Sequence, residues 1–147
     1  MPSTRRPVHA PQNLTLLDRS GEFMTAYVGP GRAPSFHALA ATTNHQGKVE
    51  WPEYAAAIRS EEREQRVLEL LADPDMTPKR FVAAFLEPPL RSTQYAAGFG
   101  TLYTAAYRPV DGTAEFSWPG SSWKLALDGF EEASRTARIP SSNAAQD

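Results

Sequence analysis

The stretch Thr101-Leu102-Tyr103-Thr104-Ala105-Ala106-Tyr107, Arg108-Pro109-Val110-Asp111-Gly112, Thr113-Ala114-Glu115-Phe116-Ser117-Trp118 sets two β-prone runs around a turn composition. Strands joined by so short a loop must be antiparallel, so residues 101–118 predict a hairpin. A second hairpin is predicted upstream. Residues 14–17 and 22–28 are β-prone and flank Asp18-Arg19-Ser20-Gly21, where Gly21 can take the positive φ of a hairpin loop. Residues 29–34 are a loop by composition, and 36–43 form a compact apolar run suited to a buried strand that ends at Asn44.

Between the hairpins the period changes. Pro52 fits the first position of a helix and Glu53 the positive end of its dipole, which predicts a helix over 52–72. Asp73-Pro74 stops it, because proline disfavours helical geometry in the residue before it. Thr77-Pro78 is a cap followed by a helix-compatible proline, and Phe81, Val82, Phe85 and Leu86 give a second helix, 78–87, its apolar stripe. Trp118-Pro119-Gly120 is expected to end the pairing of the second hairpin, with a short strand to follow at 124–127. Residues 1–12 read as a flexible lead-in, 13–133 as the folded part, and 134–147 as a polar tail. The fold class expected is α+β.

Composition narrows the chemistry. Fifteen Lys+Arg against seventeen Asp+Glu leave a net charge of −2 in 147 residues, so no basic field gathers nucleic acid or anionic lipid. No apolar run approaches a membrane span and the first residues lack a signal peptide's apolar stretch, which makes the cytoplasm the expected location. Cysteine is absent. Disulfides, thiolate metal sites and a cysteine nucleophile are therefore beyond this chain's own means. His9, His37 and His45 lack the spacing and carboxylate company of a zinc site, so no metal and no cofactor are expected. Gly29-Pro30-Gly31 has neither the Lys-Ser/Thr nor the helix start of a phosphate loop and reads as an ordinary turn.

The middle of the long helix is unusual. Arg59-Ser60-Glu61-Glu62-Arg63-Glu64-Gln65-Arg66 is polar all the way round and cannot lie against an apolar core. It is either a solvated stretch laced with i,i+4 pairs such as Glu62 to Arg66, or a face that lines a polar site and presents a guanidinium there. Asn44, followed by His45-Gln46-Gly47, offers a matching choice between a turn former and a directed side-chain amide.

Several segments together carry a resemblance: Asn13-Leu14-Thr15-Leu16-Leu17-Asp18, Ala41-Thr42-Thr43-Asn44-His45-Gln46, the Ser60-x-x-Arg63-x-x-Arg66 spacing, 101–107, and Trp118-Pro119-Gly120. From about Pro7 to Glu132 the chain resembles the C-terminal part of the acyl-coenzyme A:6-aminopenicillanic acid acyltransferase family. That family is a branch of the N-terminal-nucleophile amide hydrolases related to choloylglycine hydrolases. The resemblance implies an αββα sandwich, expected here in part as antiparallel hairpins packed against two helices, and an enzyme that frees an N-terminal Cys by self-cleavage. Such an enzyme hydrolyses or transfers acyl groups on C–N amide bonds. It also implies roles: Asn44 donates to the oxyanion, Arg63 stabilises the nucleophile's thiolate, and Ser60 orients the arginine.

The family's nucleophilic Cys and the acidic residue that follows it belong to an N-terminal half with no counterpart here. The chain is accordingly expected to be a C-terminal fragment or subunit, 13–133 being the distal portion of the hydrolase-like domain, inactive alone. Its expected partner is an N-terminal half carrying the nucleophile, or a second copy by self-association. An acyl-amide or acyl-thioester substrate is expected only in the complete enzyme. With five strands, it should leave apolar side chains such as Leu16, Phe23, Leu102 or Phe116 partly uncovered. The alternative is a non-catalytic α+β interaction domain using open sheet edges or an open face.

Overall fold

A computed structural model describes residues 11–47, 51–129 and 132–139. Most of the expected lead-in, His9 and the end of the polar tail lie outside the described residues. The elements are strands β1 (Gln12–Leu17), β2 (Phe23–Val28) and β3 (Ser35–His37), helices α1 (Pro52–Ala57), α2 (Ser60–Ala72) and α3 (Pro78–Ala84), and strands β4 (Thr104–Arg108), β5 (Thr113–Trp118) and β6 (Ser121–Ala126). Two three-stranded antiparallel sheets, β1-β2-β3 and β4-β5-β6, with three helices make an α+β fold. The chain divides within α2 into two compact units, residues 1–64 and 65–147. No helix among the described residues is long and apolar enough to cross a membrane.

In the first unit the β1–β2 hairpin closes where expected. Asp18 accepts from the Ser20 backbone N–H at 2.8 Å, the Ser20 hydroxyl at 2.7 Å and the Glu22 N–H at 3.0 Å, while Gly21 sits at φ +87°. The Ser20 hydroxyl above all, with the backbone N–H groups around it, holds the Asp18 carboxyl below its usual value. The register opposes Asn13 to Tyr27, Leu14 to Ala26, Thr15 to Thr25 and Leu16 to Met24, and Ala26 in turn to Phe36. Side chains alternate across a strand, so Leu14, Leu16, Met24 and Phe36 share one face and Asn13, Thr15, Thr25 and Tyr27 the other. The polar face is covered on β2, where Thr25 is 0% and Tyr27 7% exposed, while Thr15 on β1 stays exposed. The apolar face stays open at its large side chains, with Leu16 56% and Phe36 62% exposed, although the small Ala26 between Leu14 and Phe36 is buried.

Two expectations for this unit are corrected. The apolar run 36–43 is not a buried strand: β3 stops at His37 and is exposed throughout. Much of that run is alanine, which counts as apolar but has little side-chain surface to bury, so no hydrophobic gain holds it in the sheet. The helix expected over 52–72 is two helices. Ile58 caps α1, the Arg59 N–H reaches the Ala56 carbonyl at 3.1 Å, and Arg59 takes φ +54° before its own carbonyl accepts from Arg63 to open α2. Left-handed geometry is unfavourable for a side-chain-bearing residue. It is retained where it turns the Ser60 hydroxyl into a fully buried position, 0% exposed. The break also resets the surface ion pairs: Glu62 engages Arg59, and Arg66 engages Glu69 at 3.3 Å, in place of the expected Glu62 to Arg66 pair.

In the second unit Thr77 caps α3 by accepting from the Arg80 N–H at 3.2 Å, with Pro78 just inside, and the Phe81 and Phe85 rings lie 5.3 Å apart. The β4–β5 hairpin has the expected loop. Trp118-Pro119-Gly120 ends the β4–β5 pairing, as expected, and the sheet continues beyond it. Trp118 opposes Ser121, so Pro119 and Gly120, the latter at φ +79°, form a tight turn into β6, which starts at Ser121 and makes a sixth strand among the described residues. Proline's fixed φ and glycine's access to positive φ suit that turn, which is why the motif that ends β5 also reverses the chain. Phe116 is half-buried among Tyr103, Tyr107 and Trp123, at centroid distances of 5.4, 6.3 and 6.4 Å, whereas Leu102 is 58% exposed. The tail is held as far as it is described: Arg135 donates to the Ser122 carbonyl at 3.2 Å and lies over the Trp123 ring.

Candidate active site

The site grows from the segment that leaves β3. Two side-chain amides fasten it to the first hairpin. Asn13 Nδ2 donates to the Thr43 carbonyl and, at 2.9 Å, to the His45 carbonyl. Gln46 Nε2 donates to Asn13 Oδ1 and the Gln12 carbonyl, both at 2.9 Å, and to the Val28 carbonyl at 3.1 Å. Backbone carbonyls that a strand would have satisfied are thus satisfied by amides. The grip falls on both sides of Asn44, which is left exposed at the tip.

The start of α2 supplies the other wall. Ser60, Arg63 and Glu64 stand at i, i+3 and i+4 and so share one helical face. Ser60 Oγ lies 3.0 Å from Thr43 Oγ1 and 2.8 Å from His45 Nδ1, and His45 Nε2 lies 3.1 Å from Glu64 Oε2. The carboxylate only accepts, so Nε2 carries the proton; in the neutral ring Nδ1 then accepts from Ser60, which is left to accept from Thr43. The result is a directed chain from Thr43 through Ser60 and His45 to Glu64. Burial, and then the Glu64 charge, raise the Tyr27 hydroxyl above its usual pKa, which ties this chain to the covered face of the sheet.

Asn44 and Arg63 meet at the edge of this network. Arg63 Nη1 donates to Asn44 Oδ1 at 3.5 Å, a long contact, and Arg63 Nε is buried with no hydrogen-bond partner among the described residues. Burial draws the half-buried guanidinium below its usual pKa, with Tyr54 opposing the shift. Arginine can only donate, so it must face the carbonyl oxygen of the amide, and that fixes the amide's orientation. Asn44 Nδ2 is then directed away from the cation as a donor.

The three residues singled out from the sequence therefore lie in one region, although the partners of Ser60 are Thr43 and His45 rather than Arg63. Ser60, His45 and Glu64 have the residue types of a hydrolytic triad, but a serine with 0% exposure offers no nucleophile to a substrate. Their chemistry is positional: they fix the backbone that carries Asn44. Thr43, His45 and Glu64 were missed as individual residues in the sequence. The available signal was the Ser60, Arg63, Glu64 face, which matches one polar segment to another.

A model of the family described as acyl-coenzyme A:6-aminopenicillanic acid acyl-transferase matches residues 4–123, a span that holds Asn13, Asn44, Ser60 and Arg63. Neither the curated proteins nor the solved structures provide a match. With most of its length matched, the chain belongs to the acyl-coenzyme A:6-aminopenicillanic acid acyltransferase family.

Proposed function

We propose that this chain forms the oxyanion and cation side of an acyl-transferring or amide-hydrolysing site whose cysteine nucleophile is carried outside these 147 residues. The observation that carries the reading is the condition of Arg63: Nε buried without an acceptor, Nη1 in one long contact, and no carboxylate paired with it among the described residues. A partly buried cation is costly unless an anion answers it. A thiolate is such an anion, and a neighbouring guanidinium lowers the thiol's pKa.

In the assembled site the thiolate attacks the carbonyl of an acyl amide or acyl thioester. Asn44 Nδ2–H donates to the tetrahedral oxyanion, which on collapse releases the amine or thiol and leaves an acyl-enzyme. Water or a second amine then takes the acyl group. The proton from the nucleophile passes through its base to the leaving group. The cytoplasm is the proposed compartment, because a reducing environment keeps such a thiol free.

The proposed partner is the segment bearing the nucleophile, and the open face with Leu14, Leu16, Met24 and Phe36 is the surface proposed to receive it. That same face favours the second reading, a non-catalytic interaction domain. The deciding experiment co-expresses this chain with the upstream coding frame and assays acylated amino acids. Activity is expected from the pair only. Asn44→Ala should lower kcat about 10²–10³-fold, the usual cost of one oxyanion donor. Arg63→Gln should move the acid limb of the pH–rate profile upward, because the thiol loses its cation. A stable complex without activity would establish the interaction-domain reading instead.

A further inference from the structure

We infer that residues 132–139 are a built-in cover for the outer edge of β6, which keeps that edge from taking a strand of a second copy of this chain. β6 lies at the end of the β4-β5-β6 sheet, so one of its sides has no strand beside it among the described residues. The register shows which backbone groups that side presents. Ala126 opposes Thr113, and one step further the Leu127 N–H donates to the Gly112 carbonyl at 2.7 Å. Bonded and unbonded positions alternate along an antiparallel pair, so Leu125, Trp123 and Ser121 turn their N–H and C=O groups to β5, while Ala126, Lys124 and Ser122 turn theirs outward. Such a row is a template for another strand.

The segment after β6 comes back along this edge. Arg135 Nη1 donates to the outward-facing Ser122 carbonyl at 3.2 Å, and its guanidinium carbon stands 5.8 Å from the centre of the neighbouring Trp123 ring, within the range of a cation–π contact. Arg138 and Ile139 border the same small cavity as Trp118 and Pro119, so the segment retraces β6 from its middle toward its start. It does so without becoming a strand. A further paired strand would only move the open edge outward, whereas an unpaired segment fastened by a side chain blocks approach and offers no ladder of its own. Lys124 blunts the middle of the edge by its charge. Ser122 carries no charge, and Arg135 supplies one there.

The cover is independent of the acyl-transfer reading, whose residues all belong to the first unit. Its test is sedimentation equilibrium of the full chain over a range of concentrations. Arg135→Glu, at an exposed position, removes the donor and sets a carboxylate against the Ser122 carbonyl. It should tighten self-association at least about tenfold, the weight of one charged hydrogen bond. Arg135→Gln should shift it the same way by less. Arg80→Glu, the same change of charge at a side chain engaged with Asp73, should leave it at the wild-type value. Adding Ser122→Pro to Arg135→Glu should restore that value, because the Ser122 N–H faces outward and proline removes an edge donor without breaking a β5–β6 bond. Circular dichroism of each variant separates exposure of the edge from loss of the fold. Wild-type self-association in both Arg135 variants, an equal gain in Arg80→Glu, or a gain that Ser122→Pro leaves in place overturns the proposal and leaves the reading of Asn44 and Arg63 untouched.

Discussion

Replacing Ser60 by alanine tests whether the Thr43–Ser60–His45–Glu64 chain holds the active-site segment. Ser60 is fully buried and its hydroxyl makes two contacts, at 3.0 Å to Thr43 and 2.8 Å to His45. A buried side-chain hydrogen bond contributes about 1 kcal/mol net, and a buried group left without any partner costs about 1–3 kcal/mol. Thr43 Oγ1 and His45 Nδ1 also lie 3.1 Å from each other, so each keeps a partner when the serine hydroxyl goes. The loss therefore falls toward the low end, near the sum of two ordinary hydrogen bonds, about 2 kcal/mol. Alanine recovers at most about 0.5 kcal/mol through its higher helix propensity, less in a first turn. The expected destabilisation is about 1–2 kcal/mol, read from urea unfolding followed by circular dichroism. The double variant with His45→Gln should lose less than the sum of the two single variants, since both remove the same 2.8 Å bond. A loss under about 0.3 kcal/mol with strictly additive behaviour would refute the reasoning, because independent sites add within that margin.

Three other perturbations follow from the same geometry. Thr77→Ala removes the side-chain acceptor of the Arg80 N–H and should cost about 1 kcal/mol in thermal or urea unfolding. Gly100→Ala should cost about 1–3 kcal/mol and alter the near-ultraviolet signal of Tyr95, because the added Cβ would lie 1.8 Å from that ring, whose hydroxyl is tied to the Thr101 carbonyl. The folded pKa of Asp18 is lowered, so its contribution to stability is complete above the unfolded value, about 3.9, and is lost as pH falls through the folded one. NMR titration of the Asp18 carboxyl should give a midpoint below that value in the native chain and a higher one in Ser20→Ala; identical midpoints would remove the hydroxyl as the cause.

The sequence alone determined the elements whose causes are local. Turn chemistry at Asp18–Gly21 and Arg108–Gly112 needs only the residues in the loop, and both hairpins formed around those loops. The Pro52 and Thr77-Pro78 starts depend on the first helical turn, and they too stand where composition put them. Asn44, Ser60 and Arg63 were singled out by the family resemblance, and the structure brings them into one region. Tertiary structure decided what depends on distant partners. Nothing within residues 36–43 shows that amides from Asn13 and Gln46 will hold the 43–46 segment outside the sheet. Nothing within 52–72 shows that Arg59 will adopt φ +54°, because the compensation is the burial of Ser60 against Thr43 and His45, more than a dozen residues earlier in the chain. Local preferences act over one turn of chain and are readable in order; the satisfaction of buried polar groups is settled only when the chain has brought their partners together.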